Sequence, residues 1–204
     1  MYAIGHFALG YLTAKLTAHL TKTQVNMPLI LSLSVIPDID LLIPFIEHRG
    51  PTHSILTAII IFIPTIILFR KKALPYLTSL IQHSLIADFI TGNTQLFWPL
   101  TSQSYGIAID IKSPTNITLE WIAFLMMFTE MLRTKDLQVI LKPHHSNIIL
   151  AIPTLTVLLP TFIAFPLKVP ASLIIPHIIM LTLFSASILT DVRKTILKLL
   201  KKSN

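Results

Sequence analysis

The residues able to do chemistry in this 204-residue chain are its imidazoles and carboxylates; cysteine is absent. His6 comes first. Asp38 and Asp40 follow in Pro37-Asp38-Ile39-Asp40, then Glu47, His48 and His53, then His83, Asp88, Asp110 and Glu120. Nitrogen and carboxylate donors without thiolate suit Zn²⁺ first, with Mn²⁺ or Fe²⁺ as alternatives, and suit the oxygen-seeking Ca²⁺ less. An ionisable group next to apolar helices costs several kcal/mol unless it is paired or ligated. A divalent cation is the cheapest way to hold several such groups together.

Local patterns point the same way. Pro37 interrupts regular helix bonding and sets Asp38 and Asp40 at a helix mouth. In His48-Arg49-Gly50-Pro51-Thr52-His53 two imidazoles flank a tight turn that leads into a helix start. His83 and Asp88 are five residues apart, about 140° around a regular α-helix. On that geometry they do not share a face, and they reach two metals or two sides of one pocket. Gly10, Ala14 and Ala18 follow His6 at four-residue spacing, which lets a neighbouring backbone approach closely and hold His6 against the site. Asp38 and His48 either ligate directly or orient a ligand from behind. Glu120 reads as a general base, a ligand or a helix N-terminal carboxylate. Arg49 pairs with Asp38 or Glu47, or clamps a phosphate oxygen. The exposed-loop pair His144-His145 reads as solvated, and His177 as bonded to a carbonyl freed by Pro176.

Gly5-His6, Pro37-Asp38-Ile39-Asp40, His48-Arg49-Gly50-Pro51-Thr52-His53-Ser54, His83-Ser84-Leu85-Ile86-Ala87-Asp88, Phe97-Trp98-Pro99 and Glu120 occur in that order. The series, over about residues 5 to 120, resembles the YdjM-type family of membrane-bound metal-dependent hydrolases. That family is distantly similar to the zinc-dependent phospholipase C and single-strand nuclease superfamily, all-helical phosphodiesterases with clustered metals. The resemblance implies Asp40, His53 and His83 on one metal, and His6 with Asp88 on a second. The soluble relatives carry a further histidine-rich segment where this chain has only Glu120, which implies one or two ions rather than three.

The elements that must position these groups are apolar. Hydrophobic residues make up 53% and charged residues 12% of the chain, about half the charge usual in a soluble domain. Mean hydropathy is +0.74. This excludes a disordered regulator, argues against an ordinary soluble enzyme, and leaves an all-α integral membrane bundle of about five to seven helices. Expected segments are Tyr2–Leu20, Met27–Ile36, Ser54–Phe69 (capped by Thr52 or Ser54), Leu74–Ile90, Ile117–Leu132, Asn147–Leu167 and Val169–Thr190. The last two are long enough for a hydrocarbon core of roughly 30 Å, and the third and fifth, at about 16 residues, are marginal and must span thinly or be shielded by neighbours. The absence of a basic stretch before the first segment argues against a cleavable signal peptide. Residues 1–132 read as the metal-binding core, 133–190 as additional transmembrane helices, and 191–204 as a basic amphipathic tail.

The net charge of +7 sits in short runs beside apolar segments, such as Arg70-Lys71-Lys72 and Arg193 to Lys202, so nucleic acid is not expected as a partner. With the tail placed in the cytoplasm and seven crossings, only Arg49, Lys112 and Lys168 of the 16 Lys and Arg fall on the other side. The tail then lies on the anionic inner surface, and the His and Asp groups gather on the extracytoplasmic side. The reading is a multi-pass membrane hydrolase using one or two metals. Asp38 or Glu120 is the expected proton acceptor and His6, Asp40, His48, His53, His83 and Asp88 the expected ligands. A lipid-linked or amphiphilic substrate is expected, with Thr91–Asn116 as lid and interface anchor. The alternative is a divalent-metal transporter or sensor, which needs polar residues along a path across the bilayer.

Overall fold

Helix α1 (Ala3–Thr21) occupies the centre of the molecule. Every residue from Ala3 to Ala8 is buried, because other helices surround its first half. Ile4, Phe7 and Tyr11 pack into one apolar cluster with Leu31, Met127, Leu158 and Phe184. The Phe7 and Phe184 rings meet edge to face with centroids 5.2 Å apart, a favoured aromatic arrangement. The computed structural model describes residues 1–163 and 168–203. The end of the expected Asn147–Leu167 segment, Pro166 included, lies outside the described residues.

Helix α2 (Met27–Leu33) starts where the Asn26 side chain accepts from the Leu29 amide, the usual N-cap bond. It gives way to a 3₁₀ stretch, Ile36–Leu42, that carries both aspartates. A short 3₁₀ turn, Pro51–His53, leads into α3 (Ile55–Phe69). Of the two expected caps for that helix Ser54 is the one used, its Oγ accepting from Thr57. Helix α4 (Leu74–Gln82) runs without a break into a π-helical stretch, His83–Asp88, and a last turn, Phe89–Thr91. The polar segment that follows contains no strand, only an isolated antiparallel bridge between Thr94 and Tyr105. Helix α5 (Pro114–Arg133) is capped by Ser113, and α6 (Asp136–Ile140) is a short turn behind it. The helical run His145–Phe162 forms α7, and α8 covers Ile174–Ser203.

Among the described residues two helical stretches are long and apolar enough to cross a membrane, His145–Phe162 and Ala171–Lys198. Among the remaining helices α3 falls short for a physical reason. Helix α3 has 15 residues and spans about 22 Å, less than the hydrocarbon core. The last helix begins at Ile174 rather than Val169, because Pro170 sets an extended residue ahead of a 3₁₀ turn, Ala171–Leu173. It then continues through the basic residues, so the expected tail is an extension of α8 and not a separate piece. Pro176 frees the carbonyl four residues earlier, that of Ser172, and the Trp121 indole donates to it at 3.0 Å. His177 Nδ1 lies 2.7 Å from the Leu173 carbonyl oxygen.

Candidate metal centre

Four elements bring the predicted side chains to one end of α1. The 3₁₀ stretch supplies Asp38 and Asp40, the Pro51–His53 turn His53, α1 His6, and the π stretch His83 and Asp88. His53 Nε2 lies 3.1 Å from His83 Nε2, 3.5 Å from Asp38 Oδ1 and 3.2 Å from Asp88 Oδ2. His83 Nε2 is 3.3 Å from Asp38 Oδ1 and 3.6 Å from Asp88 Oδ2. A tetrahedral ion with bonds of about 2.0–2.1 Å has donor–donor edges of roughly 3.3 Å, and these five separations bracket that value.

The hydrogen bonds behind the rings make the convergence hard to satisfy without a cation. His83 Nδ1 sits 2.8 Å from the Ser34 carbonyl, an acceptor only, so that nitrogen carries the proton. His53 Nδ1 faces Asp40 Oδ2 at 3.2 Å. With both Nδ1 protons committed, the two Nε2 lone pairs point at each other and at two carboxylates. Asp88 Oδ2 is buried and accepts no hydrogen bond, and buried His6 Nδ1 has no partner. The cluster calls for positive charge. Burial opposes a second proton on His53, yet Asp38, Asp40 and Asp88 together hold its pKa well above the ordinary value. A divalent cation answers the same demand.

Among the described residues two groups of donors stand close enough to hold an ion, Asp38 with His48, His53 and Asp88, and His6 with Asp38 and His83. Asp38 belongs to both, which is the place of a carboxylate between two ions rather than of a free base. Asp40 belongs to neither. It faces His48 Nδ1 at 3.1 Å and accepts from Thr52 Oγ1 at 2.7 Å besides facing His53, so it orients imidazoles from behind. Burial would raise its pKa, but the bonds from His48, His53 and Thr52 hold it well below the usual carboxylate range. His6 lies flat on the His83 ring, centroids 3.9 Å apart.

The expectation that His83 and Asp88 lie on different faces is corrected by the local backbone. They bound a π-helical stretch, where bonding from i to i+5 makes residues five apart neighbours on one side. Both side chains therefore reach the same centre. Arg49 has φ 64°, and its Nη2 is 3.3 Å from Asp88 Oδ1. It pairs with Asp88, not with Asp38 or Glu47 as the sequence suggested. Gly92 makes room for it, since a Cβ there would fall 1.5 Å from Arg49 Nη1. The Arg49 Nε is buried without a partner. Thr52, Ser34 and Gly92 were not among the expected site residues. Only Thr52, inside the His-Arg-Gly-Pro-Thr-His string, carried a signal.

Glu120 is fully buried and accepts from the Tyr2 amide at 2.5 Å, the Gly5 amide at 3.1 Å and Asn116 Nδ2 at 3.2 Å. The Tyr2 amide stands at the N-cap and has no acceptor within the helix, and the Gly5 amide is shared between Glu120 and the Tyr2 carbonyl at 3.0 Å, so Glu120 closes that helix end and stands outside both donor groups. Glu120→Ala is expected to lower stability by about 1–3 kcal/mol for each amide left bare, and Glu120→Gln, which keeps an acceptor, by much less. Metal content stays that of the parent in both. Thermal unfolding in detergent with metal analysis of the purified variants checks this.

No curated protein and no solved structure matches the chain. The family model described as YdjM inner membrane protein matches residues 1–169, which include all of the donors above. With four-fifths of its length matched, and the Gly-His, Pro-Asp-x-Asp and His-Arg-Gly-Pro-Thr-His-Ser strings meeting at one buried centre, the chain belongs to the YdjM inner membrane protein family.

Proposed function

We propose that the protein is a membrane-bound, metal-dependent hydrolase of a phosphoester carried by a lipid-linked or amphiphilic molecule. The observation that carries the reading is the meeting of two imidazole lone pairs and two carboxylates at 3.1–3.6 Å, next to a guanidinium with an unused donor. Asp38, His53, Asp88, His83 and His6 are the groups to hold one or two ions, with Zn²⁺ the first choice for this donor set. A divalent ion bound there supplies Lewis acidity and lowers the pKa of water towards about 7.

The chain's own groups do the rest. Arg49 is poised to bind an anionic phosphoryl oxygen, and Gly92 leaves it the space to do so. Asp38 belongs to both donor groups and Glu120 caps α1, so neither is the proton acceptor; His48 belongs to one group and stands at its exposed edge. His48 fits better. Its side chain is 37% exposed while His53 is fully buried, and Asp40 holds its Nδ1 at 3.1 Å, which leaves Nε2 as the nitrogen to act as a base. The distant resemblance to zinc-dependent phospholipases read from the sequence motifs favours a phosphoester substrate. The distribution of Lys and Arg supports several crossings, with the basic end of α8 in the cytoplasm and the centre on the opposite face. The transporter reading lacks such support, because His177, the candidate deep in α8, faces a carbonyl of its own helix.

The test is a screen of metal-loaded protein against phosphodiesters and phospholipids, with Arg49→Ala beside the parent. Removing a hydrogen bond to a charged group costs about 1.5–3 kcal/mol, roughly 10–150-fold. That loss is expected in kcat/KM, with metal content unchanged. A metal-loaded parent inactive on every phosphoester would overturn the reading.

A further inference from the structure

Between Asp40 and His48 the chain runs Leu41-Leu42-Ile43-Pro44-Phe45-Ile46-Glu47. Leu42 through Ile46 are all exposed, and Phe45 is fully so. Phe45 also has φ 76°, a left-handed conformation unusual for a bulky side chain and of the kind that collects at functional sites. Five consecutive exposed apolar residues are not what water tolerates on a monomer surface. The loop is fastened at both ends to the centre, and no residue in it is more than five residues from Asp40 or His48, a reach of at most about 18 Å.

This patch does not stand alone. Glu47 accepts from the Gln95 side chain at 3.3 Å, and the Gln95 amide donates to the Arg49 carbonyl at 3.0 Å. Beyond Gln95, Phe97, Trp98 and Leu100 are exposed as well. That second loop is pinned to the top of α3, where Ser54 Oγ donates to the Trp98 carbonyl at 2.6 Å and the Ile55 amide to the Leu96 carbonyl at 3.0 Å. Helix α3 then exposes Ile59, Ile60, Ile61, Ile63, Ile67 and Leu68, with only Phe62 buried. In an inner membrane protein such a helix faces lipid, so the apolar rim of the centre continues a lipid-facing surface.

We propose that the Leu42–Ile46 loop, with Phe97, Trp98 and Leu100, dips into the bilayer and holds the hydrocarbon chain of a membrane lipid whose polar head reaches the His and Asp centre. The catalytic consequence rests on the hydrolase reading above; the contact with lipid does not. The substrate is then drawn sideways from the bilayer, its chain against Phe45 and its head group towards Arg49 and His48.

The absence of cysteine gives a direct test. The full chain carrying Phe45→Cys or Gln103→Cys is labelled with an environment-sensitive fluorophore and reconstituted into phosphatidylethanolamine–phosphatidylglycerol vesicles. At position 45 a blue-shifted emission quenched by brominated lipid is expected, and at 103 a water-like emission quenched by iodide. Water-like behaviour at 45 overturns the proposal. So does energy transfer between labelled copies at 45 without bromolipid quenching, which would place a second copy of the chain there. In a second arm, Leu42→Ser/Phe45→Ser is expected to lose at least tenfold in kcat/KM on a long-chain phospholipid and to keep the parent's rate on bis(p-nitrophenyl) phosphate and its metal content. Equal losses on both substrates overturn the lipid-chain role. If the metal-loaded parent hydrolyses neither substrate, the hydrolase reading fails alone and the quenching decides the proposal.

Discussion

Replacing His53 by alanine is expected to remove the metal from the purified protein while leaving it helical and membrane-inserted. Its Nε2 is the atom within 3.1–3.5 Å of His83, Asp38 and Asp88, so no other side chain can take over its contacts. Loss of an orienting partner alone costs 10–100-fold in metal affinity, and loss of a ligand at this hub is expected to cost at least about 100-fold. Asp40→Asn is the matched comparison. It keeps the shape and the bond to Thr52 but weakens the hold on two rings, and about 10–100-fold is expected from it. Metal analysis after dialysis against a graded chelator separates the two. Equal metal content in His53→Ala and the parent would contradict the site.

Gly10→Ala is expected to damage both stability and metal binding, although Gly10 touches no donor. A Cβ there would fall 2.2 Å from the Ser34 Cβ and 3.0 Å from Ser79 Oγ, contacts that force α1 and α2 apart. Overpacking of this kind costs about 1–3 kcal/mol or more. Ser34 also supplies the carbonyl that faces His83 Nδ1, so its displacement turns a ligand ring, with a loss of metal affinity in the 10–100-fold range. Thr13→Ala is the control, because Thr13 Oγ1 donates only to carbonyls of its own helix and surface changes of that sort fall within about 0.5 kcal/mol. Unfolding midpoints and metal titrations of the three proteins check the prediction.

The donors were legible in the sequence because imidazoles and carboxylates are conspicuous in an apolar chain. Their division of labour was not. Asp38 and Asp40 are two residues apart in similar surroundings, and only the 3₁₀ path of Ile36–Leu42 sends one between the donor groups and the other behind the rings. The use of Glu120 as a cap for α1 depends on contacts more than a hundred residues apart, which no local pattern encodes. The small-residue spacing at Gly10 did announce a close approach, because a missing side chain has few other uses in a helix interior. Helix boundaries near prolines moved by a few residues, since Pro170 and Pro176 act on the backbone before and after themselves. Hydropathy gave the membrane class but not helix length, as the 15 residues of α3 show, because composition says nothing of how far an apolar helix runs before it breaks.

The widened turn between His83 and Asp88 has a consequence for inheritance. Compared with a regular helix it holds one residue more, and the wider winding absorbs that residue so that Asp88 still faces His83. A single-codon deletion among Ser84, Leu85, Ile86 and Ala87 would leave the two residues four apart, about 40° around ordinary winding, and so still on one side of the helix, with hydropathy nearly unchanged. Descendants of such an ancestor would keep both donors on one side of a narrower helix, so an alignment gap of one residue at this point is compatible with an intact pair, whereas straightening the unchanged sequence into an α-helix would set the two about 140° apart.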